Sequence, residues 1–346
     1  MQLVIGTYTR GFASEGIYRL DVGADGGEAT LSLAAKLENP SWQVRHPRLP
    51  VLYSVVETRG DENEGGAIVA FRVNDDGALS MVARVPSMGG DPCHLSVAGD
   101  FLLASNYDAG NLAVWRLDDN GVPVSLENLV QHNGSSVDPV RQKSPHVHST
   151  CVHAESGTAL VCDLGVDRVY RYALSEQGID VLSRKTISMR PGAGPRLGCS
   201  DPSARYFYVI NELDNTIVSF DLAVGERAVE LATTSTLPDD CDEASYCAHL
   251  TMTGDGRHLY ASNRGHDSIA VFEVLDNGEL GLLQTVSSGG QHPRFFMLMP
   301  GEEYLWVANR DSDNIVVMAR DPESGKLTAT GTEISVPAPV CLTILG

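Results

Sequence analysis

The sequence predicts an all-β protein, a seven-bladed β-propeller with four-stranded blades that forms one domain over residues 1–346. Two recurring elements predict this fold, together with the absence of clear helical periodicity. One is a strand that ends in a polar residue, and the other is a short segment that opens each repeat unit. The unit openings follow one another at intervals of about 46 to 53 residues. That period, with four strands in each unit, is typical of propellers.

The strand that ends in a polar residue recurs along the whole chain. Its copies end at Glu57, Asn106, Asp163, Asn211, Asn263 and Asn309, and residues 5–8 are an atypical first copy. A polar loop and a second β-rich run follow each copy. Four later segments (74–77, 118–121, 276–278 and 322–325) combine Asn or Asp, or Pro and Ser, with a final Gly. Such segments are typical of β-hairpin turns, so each unit is predicted to add two more antiparallel strands.

The two ends of the chain are predicted to close the ring. The opening strand, at 3–8, has no innermost partner of its own in the sequence, and the segment 339–345 can supply one. Pairing of these two strands would remove the open edges that a linear array of sheets leaves.

Charge and composition restrict the classes of function. Lys and Arg total 25 against 45 Asp and Glu, so the net charge is −20. Nucleic acids and anionic membrane surfaces are not expected partners, because both need clustered cations. We find no secretory signal and no membrane-length apolar run, and the seven cysteines contain no Cys-x-x-Cys pair. We expect a cytoplasmic protein with reduced thiols, and the sequence leaves its oligomeric state open.

A ring of side chains is predicted at one mouth of the central channel. In a propeller blade, the start of the innermost strand and the end of the second strand lie on the same face of the disc. The residues at the unit openings are Ser41, His94, His148, Arg196, His249, Arg294 and Cys341. The ends of the second strands, including Glu212 and Arg264, are expected on that face too. In so acidic a chain, this concentration of Arg and His favours the binding of a small anionic substrate.

Arg196 and Glu212 are the candidate centre of this ring. A Gly-Ala-Gly-Pro turn leads into Arg196, and Glu212 ends the next strand, so a hairpin would place both on one face. A rim salt bridge of little energetic value is the structural alternative. The recurring Asn and Asp at strand ends are interpreted as caps of the loops that follow. Arg141 is interpreted as a solvated surface charge.

Neither a metal nor a cofactor is expected. His146 and His148 form a His-x-His pair that could bind a metal, but we find no third ligand at a matching spacing. Gly-x-Ser-x-Gly, His-Glu-x-x-His and Gly-Lys-Ser/Thr motifs are all absent. Chemistry in the channel mouth would therefore rest on acid–base catalysis with arginine electrostatics.

Several motifs together resemble those of the propeller-type lactonase family, and the resemblance covers nearly the whole chain. They are Ser-Pro-His-Val-His148-Ser, Asp-Leu-Gly165 with Asp167, Pro-Gly-Ala-Gly-Pro-Arg196, Asn-Glu212-Leu, Arg257-His-Leu-Tyr-Ala-Ser-Asn-Arg264 and His-Pro-Arg294-Phe. That family includes bacterial cytosolic 6-phosphogluconolactonases and the fungal 3-carboxymuconate lactonizing enzyme. Relatives often have a histidine directly after Gly-Pro-Arg, where this chain has Leu197. Strand alternation predicts that Leu197 contributes to packing between blades.

The resemblance implies a metal-independent site at the channel mouth. It places the catalytic group at His148, Arg196, Glu212 and Arg264. Substrate binding is expected from His94, His249 and Arg294. The leading hypothesis is hydrolysis of a sugar lactone, 6-phosphoglucono-δ-lactone, to 6-phosphogluconate, with either Glu212 or His148 as the base. A muconate-type cycloisomerase and a non-catalytic binding platform are the alternatives, since a propeller fold by itself supports no one function.

Overall fold

The computed structural model describes residues 1–23, 29–60, 65–153, 156–223 and 227–345. Seven four-stranded antiparallel sheets are arranged in order along the chain, so the predicted seven-bladed propeller is confirmed. The described ranges also contain one short 3-10 helix, Leu164–Val166. None of the helical segments in these ranges has the length and apolar character that a membrane crossing requires.

Each blade runs from an inner strand at the channel to an outer strand at the rim. Blade 1 comprises β28 (Pro339–Ile344), β1 (Gln2–Thr7), β2 (Gly16–Val22) and β3 (Ala29–Lys36). Blade 2 comprises β4 (Gln43–Arg45), β5 (Val51–Val56), β6 (Ala67–Val73) and β7 (Leu79–Pro86). Blade 3 comprises β8 (Pro92–Ala98), β9 (Phe101–Asn106), β10 (Asn111–Leu117) and β11 (Pro123–Gln131). Blade 4 comprises β12 (Val147–His153), β13 (Thr158–Asp163), β14 (Arg168–Ser175) and β15 (Gly178–Ser188).

The remaining three blades repeat this order. Blade 5 comprises β16 (Pro195–Ser200), β17 (Tyr206–Asn211), β18 (Thr216–Asp221) and β19 (Val229–Ser235). Blade 6 comprises β20 (Tyr246–Met252), β21 (His258–Arg264), β22 (Ser268–Val274) and β23 (Leu280–Ser287). Blade 7 comprises β24 (Pro293–Leu298), β25 (Tyr304–Asn309), β26 (Asn314–Arg320) and β27 (Leu327–Ser335).

Ring closure occurs as the sequence predicts. The last strand, β28, is the innermost strand of blade 1 and pairs antiparallel with β1, with Leu3 opposite Ile344 and Ile5 opposite Leu342. The predicted hairpin turns also form, and their final glycines have the positive φ values that such turns require, for example +77° at Gly121.

The core lies between the blades, because each sheet packs its face against that of the next blade. Second strands such as β9 are buried along their entire length, whereas the outermost strands are largely exposed.

A recurring hydrogen bond joins neighbouring blades as well. The buried hydroxyls of Tyr53, Tyr208 and Tyr260 each donate to the carbonyl of the hairpin glycine of the following blade, at 2.6, 3.1 and 2.8 Å. Each buried phenol therefore has the partner that its burial demands.

Candidate active site

A β-bulge aims one side chain from the inner strand into the channel mouth. In six blades the register between the two innermost strands shifts by one residue directly after the unit opening. In blade 5, Pro195 pairs with Asn211 and Leu197 with Ile210, so Arg196 is the extra residue. Bulges of this kind bend the strand and redirect a side chain, and they are common beside active sites. The equivalent positions, which we call the bulge ring, are Ser41, Cys93, His148, Arg196, Ala248, Arg294 and Val340.

A second ring is formed where the second strands end. It comprises the residue at or directly after the end of the second strand in each blade: Tyr8, Glu57, Tyr107, Leu164, Glu212, Arg264 and Arg310. The Asn and Asp residues just before five of these positions are structural, as predicted. Asn106, for example, donates to the Ser87 carbonyl at 2.8 Å and to Asn111 Oδ1 at 2.7 Å. The caps hold the loops, and Tyr107, Glu212 and Arg264, which come after caps, line the mouth cavity.

The two rings enclose a cavity of about 330 Å³ at the mouth. Its lining comprises Tyr8, Glu57, Asp91, Cys93, Tyr107, Arg141, His148, Glu212, Arg264 and Arg294. Arg196 lies directly beneath, in a narrower space that it shares with His94, His148 and Arg294. The structure thus brings the four residues predicted to be catalytic together with Arg294.

The structure corrects the placement of His94, His249 and Cys341. These residues come one position after the bulge, so they lie below the ring and do not line the mouth cavity. The His94 ring lies 4.3 Å from the ring of Trp42, and His249 lies 4.2 Å from Phe295. Burial, with Arg196 nearby, lowers the pKa of both histidines to about 3, so both are neutral at pH 7. Their role in substrate binding stays a prediction.

Glu212 is the centre of the site, and three arginines form ion pairs with it. Arg196 Nε and Arg264 Nη2 reach Oε2 at 2.9 and 3.0 Å, and Arg141 Nη2 reaches Oε1 at 2.6 Å. Burial alone would raise the pKa of Glu212, but Arg264, Arg196, His148 and Arg141 together hold this pKa well below its usual range. Glu212 is therefore a carboxylate with both oxygens engaged, which makes it a weak proton acceptor.

The turn before Arg196 sets the position of Glu212. Gly194 has φ +68°, and a Cβ there would lie 2.6 Å from Leu213 Cγ, so this position requires glycine. Its carbonyl accepts from the Glu212 backbone N–H at 2.7 Å. The Gly-Pro turn thereby fixes Arg196 and Glu212 relative to each other, and the predicted hairpin between their strands is confirmed.

His148 lies beside this carboxylate in a neutral state. Its Nε2 is 3.8 Å from Glu212 Oε2, and its Nδ1 is 3.7 Å from the Cys93 thiol. Burial, and after it the Arg196 charge, lower the pKa of His148 well below its ordinary value. Burial also raises the pKa of Cys93, which keeps its sulfur a protonated thiol rather than a nucleophilic thiolate. His148 is therefore a buried, neutral imidazole near pH 7, and one of its ring nitrogens has a lone pair that can accept a proton.

Arg294 has a different environment from the other arginines. Its guanidinium donates no hydrogen bond to the part of the chain that the structure describes, and its Nη2 lies 4.0 Å from Glu57 Oε2. Its Cζ lies over the Tyr8 ring, 5.1 Å from the ring centroid. Glu57 itself accepts from Tyr8 Oη at 2.9 Å and from Ser41 Oγ. The donors of Arg294 are thus available to a bound anion or carbonyl.

Sequence reasoning missed Arg141. The interpretation of this residue as a solvated surface charge was wrong, because it forms a salt bridge with Glu212 and donates to Tyr107 Oη at 3.1 Å. Arg141 lies in the irregular segment between β11 and β12, where no periodicity indicates which way a side chain points. Glu212 is 71 positions away in the sequence, so neither residue predicts the other.

The His-x-His pair does not form a metal-binding arrangement. His146 precedes β12, stacks on Tyr107 at 4.3 Å and forms a 2.8 Å contact from Nδ1 to the Tyr107 carbonyl. No group of three or more His, Cys, Asp or Glu is arranged for a metal ion in the described ranges.

Leu197 packs with Tyr208 and Ile210 of its own blade and Cys247 of the next, as expected, and it also borders the narrow space below the mouth.

Comparison with known proteins agrees over the full length of the chain. A model of the family described as "Lactonase, 7-bladed beta-propeller" matches residues 2–344. A 6-phosphogluconolactonase of Bacillus subtilis is 36% identical, with 99% of this chain and 97% of that protein covered. The solved structure of a periplasmic gluconolactonase from Pseudomonas aeruginosa superimposes with a TM-score of 0.92 at 28% identity, and covers 100% of this chain and 99% of that one. A solved protein from Lactobacillus plantarum gives a TM-score of 0.91 at 30% identity, with 99% and 98% covered. This chain therefore belongs to the lactonase family of seven-bladed β-propellers.

Proposed function

We propose that this protein hydrolyses 6-phosphoglucono-δ-lactone to 6-phosphogluconate in the mouth cavity, without a metal ion. Family membership supports lactone hydrolysis as the reaction class, and the name of the Bacillus subtilis relative supports this substrate. The observation that carries the proposal is the neutral His148 beside a carboxylate saturated by Arg141, Arg196 and Arg264. Together they offer a base, a group that orients it and a cationic environment for an anion.

In this mechanism His148 Nε2 accepts a proton from a water molecule as the water oxygen attacks C1 of the lactone. The resulting oxyanion is stabilised by Arg294, whose guanidinium makes no hydrogen bond to the described residues and lies 4.0 Å from the Glu57 carboxylate. Collapse of the tetrahedral intermediate breaks the bond between C1 and the ring oxygen. The leaving oxygen takes the proton back from His148, so the base is regenerated. Glu212 stays ionised and orients and stabilises the imidazolium.

The division of labour between His148 and Glu212 follows from their surroundings. Three guanidinium groups already pair with Glu212, and a proton on this carboxylate would weaken all three ion pairs. His148 has the available lone pair instead. Because guanidinium groups provide the positive charge, the mechanism needs no Lewis acid.

The test is hydrolysis of freshly generated 6-phosphoglucono-δ-lactone, coupled to 6-phosphogluconate dehydrogenase and corrected for the spontaneous rate. We expect His148→Gln to lower kcat by about 100- to 10,000-fold, as is usual for removal of a general base. Glu212→Gln should lower kcat too, because it leaves buried arginines without their counter-charge. EDTA should leave the wild-type rate unchanged.

Arg190→Gln is the matched control, since Arg190 pairs with Asp214 at the surface with 68% of its side chain exposed. Its rate should equal that of the wild type. Wild-type turnover no faster than the spontaneous reaction would rule out this substrate, and a fully active His148→Gln would rule out this base. A rate abolished by EDTA would contradict the metal-free mechanism.

A further inference from the structure

Arg141 differs from the other cavity arginines in its access to solvent. Its side chain is 34% exposed, against 14% for Arg294, 10% for Arg264 and 5% for Arg196. It therefore marks the outer end of the cavity. A phosphate dianion is strongly hydrated, and its loss of water costs least where solvent still reaches it.

The guanidinium of Arg141 also has donors to spare. Its contacts with Glu212 Oε1 and Tyr107 Oη both use Nη2, so Nη1 and Nε have no acceptor among the described residues. The guanidinium groups beneath it donate to backbone carbonyls as well: Arg196 to that of Ala248, and Arg264 to those of Tyr246 and Cys247. Those two arginines are locked in place, whereas Arg141 keeps the N–H donors of Nη1 and Nε available to phosphate oxygens.

The loop around Arg141 is built to hold it there. Asp138 Oδ1 accepts from the backbone N–H groups of Val140 and Arg141, both at 2.8 Å. The fully buried Gln142 donates to the Leu164 carbonyl at 2.9 Å and to Asp167 Oδ1 at 2.8 Å. A solvated surface charge needs no such support, and a recognition residue gains affinity from being held in place in advance.

The distribution of acidic groups also favours this end of the cavity for an anion. Glu57 is bonded to groups of blades 1 and 2, whereas Arg141 is bonded to groups of blades 3 and 5. The two residues thus lie over different sectors of the ring. An anion held by Arg141 avoids the Glu57 carboxylate, and Glu212, the carboxylate that Arg141 contacts, is already paired with arginines.

We propose that Arg141 recognises the phosphate of the substrate and is the residue that makes this enzyme prefer phosphorylated over unphosphorylated sugar lactones. The proposal rests on the function proposed above. In 6-phosphoglucono-δ-lactone the phosphate is carried on the exocyclic carbon, which is attached beside the ring oxygen and projects outside the ring that contains the carbonyl. With the phosphate at Arg141, the lactone carbonyl extends inward toward His148 and Arg294, which line the same cavity.

The kinetic test compares 6-phosphoglucono-δ-lactone with glucono-δ-lactone, which lacks only the phosphate. Arg141→Gln should lower kcat/KM for the phosphorylated lactone by roughly 10- to 100-fold more than it lowers kcat/KM for glucono-δ-lactone, chiefly through KM. Arg141→Lys keeps the positive charge but not the planar guanidinium, and it should lower kcat/KM for the phosphorylated lactone less than Arg141→Gln does. Arg48→Gln, at a side chain that is 72% exposed, should change neither value.

Calorimetry of product binding separates this inference from the proposed function. We expect 6-phosphogluconate to bind the wild type more tightly than gluconate does, and Arg141→Gln to remove that difference. If the wild type hydrolyses neither lactone, the proposed reaction fails and this binding difference alone decides the role of Arg141. Equal losses for both ligands would overturn the inference, because Arg141 would then act through Glu212. A wild type that binds both ligands equally, or neither, would overturn it as well.

Discussion

His148 is the residue whose protonation should govern the pH dependence of the reaction. A general base works only without its proton, so activity is lost as the pH falls through its pKa. Burial and the Arg196 charge lower that pKa well below 6.5, which moves the loss to more acidic pH. Glu212 adds no step near neutrality, because its pKa is held low too. The site is therefore expected to stay active in mildly acidic solution.

The corresponding prediction concerns the profile of kcat/KM against pH, measured with the spontaneous rate subtracted. It should be level from about pH 8 to below 6.5 and fall only at more acidic pH. An ordinary histidine would instead halve the rate near 6.5. An inflection at that pH in the wild type would contradict a buried, neutral His148 as the base.

Residues that follow a strand pattern could be placed from the sequence, and residues that depart from one could not. The Arg196–Glu212 pair was predicted correctly, because a hairpin between adjacent strands brings their ends together. The prediction that His94 and His249 lie in the mouth ring was wrong, because it did not allow for the bulge. The bulge adds one residue to the inner strand, and the pattern of apolar residues in the sequence gives no sign of it. Which blade presents an arginine and which a histidine is visible in the sequence, but the depth of each side chain is not.

At the scale of elements, Asp167 joins the two loops that carry arginines to Glu212. It follows the 3-10 helix, with φ +51°, and it is buried. Its Oδ1 accepts from Gln142 Nε2 at 2.8 Å and from the Gly194 N–H at 2.7 Å. Its Oδ2 accepts from the Gly192 N–H at 2.7 Å and from Ser136 Oγ. One carboxylate thus fixes both the Arg141 loop and the turn before Arg196.

We predict that Asp167→Asn weakens both loops. Asparagine tolerates the same left-handed backbone, so the change acts on the hydrogen bonds alone. The amide NH2 of asparagine would replace one of the two carboxylate oxygens. An NH2 group cannot accept the two hydrogen bonds that this oxygen accepts, and each lost hydrogen bond costs about 1–3 kcal/mol. We expect a lower melting temperature in calorimetry and a kcat/KM at least about 10-fold lower for 6-phosphoglucono-δ-lactone.

Asp118→Asn is the control for this substitution, since Asp118 Oδ1 also accepts two backbone N–H groups, those of Asn120 and Val122, but in an exposed turn of blade 3. It should leave catalysis unchanged. A fully active Asp167→Asn would show that the two loops hold their arginines without this carboxylate.

At the scale of the whole molecule, the site depends on the ring being closed. The bulge-ring residues come from inner strands of different blades, and only closure fixes the distance between blades 1 and 7. Arg294 of blade 7 lies over Tyr8 of blade 1, across that junction. Period and strand number were predictable because the repeat recurs in the sequence. Closure was predictable because the first and last strands each lacked a partner.

Our last prediction tests closure directly, with a chain that ends at Val336 and so lacks β28. It loses the buried residues Val340, Cys341 and Leu342, and it exposes the edge of β1. Each buried apolar side chain contributes about 1.5–3 kcal/mol, so the loss is comparable with a typical total stability of about 5–15 kcal/mol. We therefore expect the truncated chain to aggregate or to melt without a single cooperative transition in circular dichroism.

The same segment can be returned at the other end of the chain. Because Leu345 N donates to the Gln2 carbonyl at 2.9 Å, residues 337–345 placed before Met1 through an Asn-Gly turn would form an ordinary hairpin with β1. This rearranged chain should recover a cooperative melt and lactone hydrolysis, since it restores every strand pair without the original connection. A truncated chain that melts like the wild type would show that blades 2–7 stand without closure. A rearranged chain that stays unfolded would show that β28 must be the last segment of the chain to join the ring.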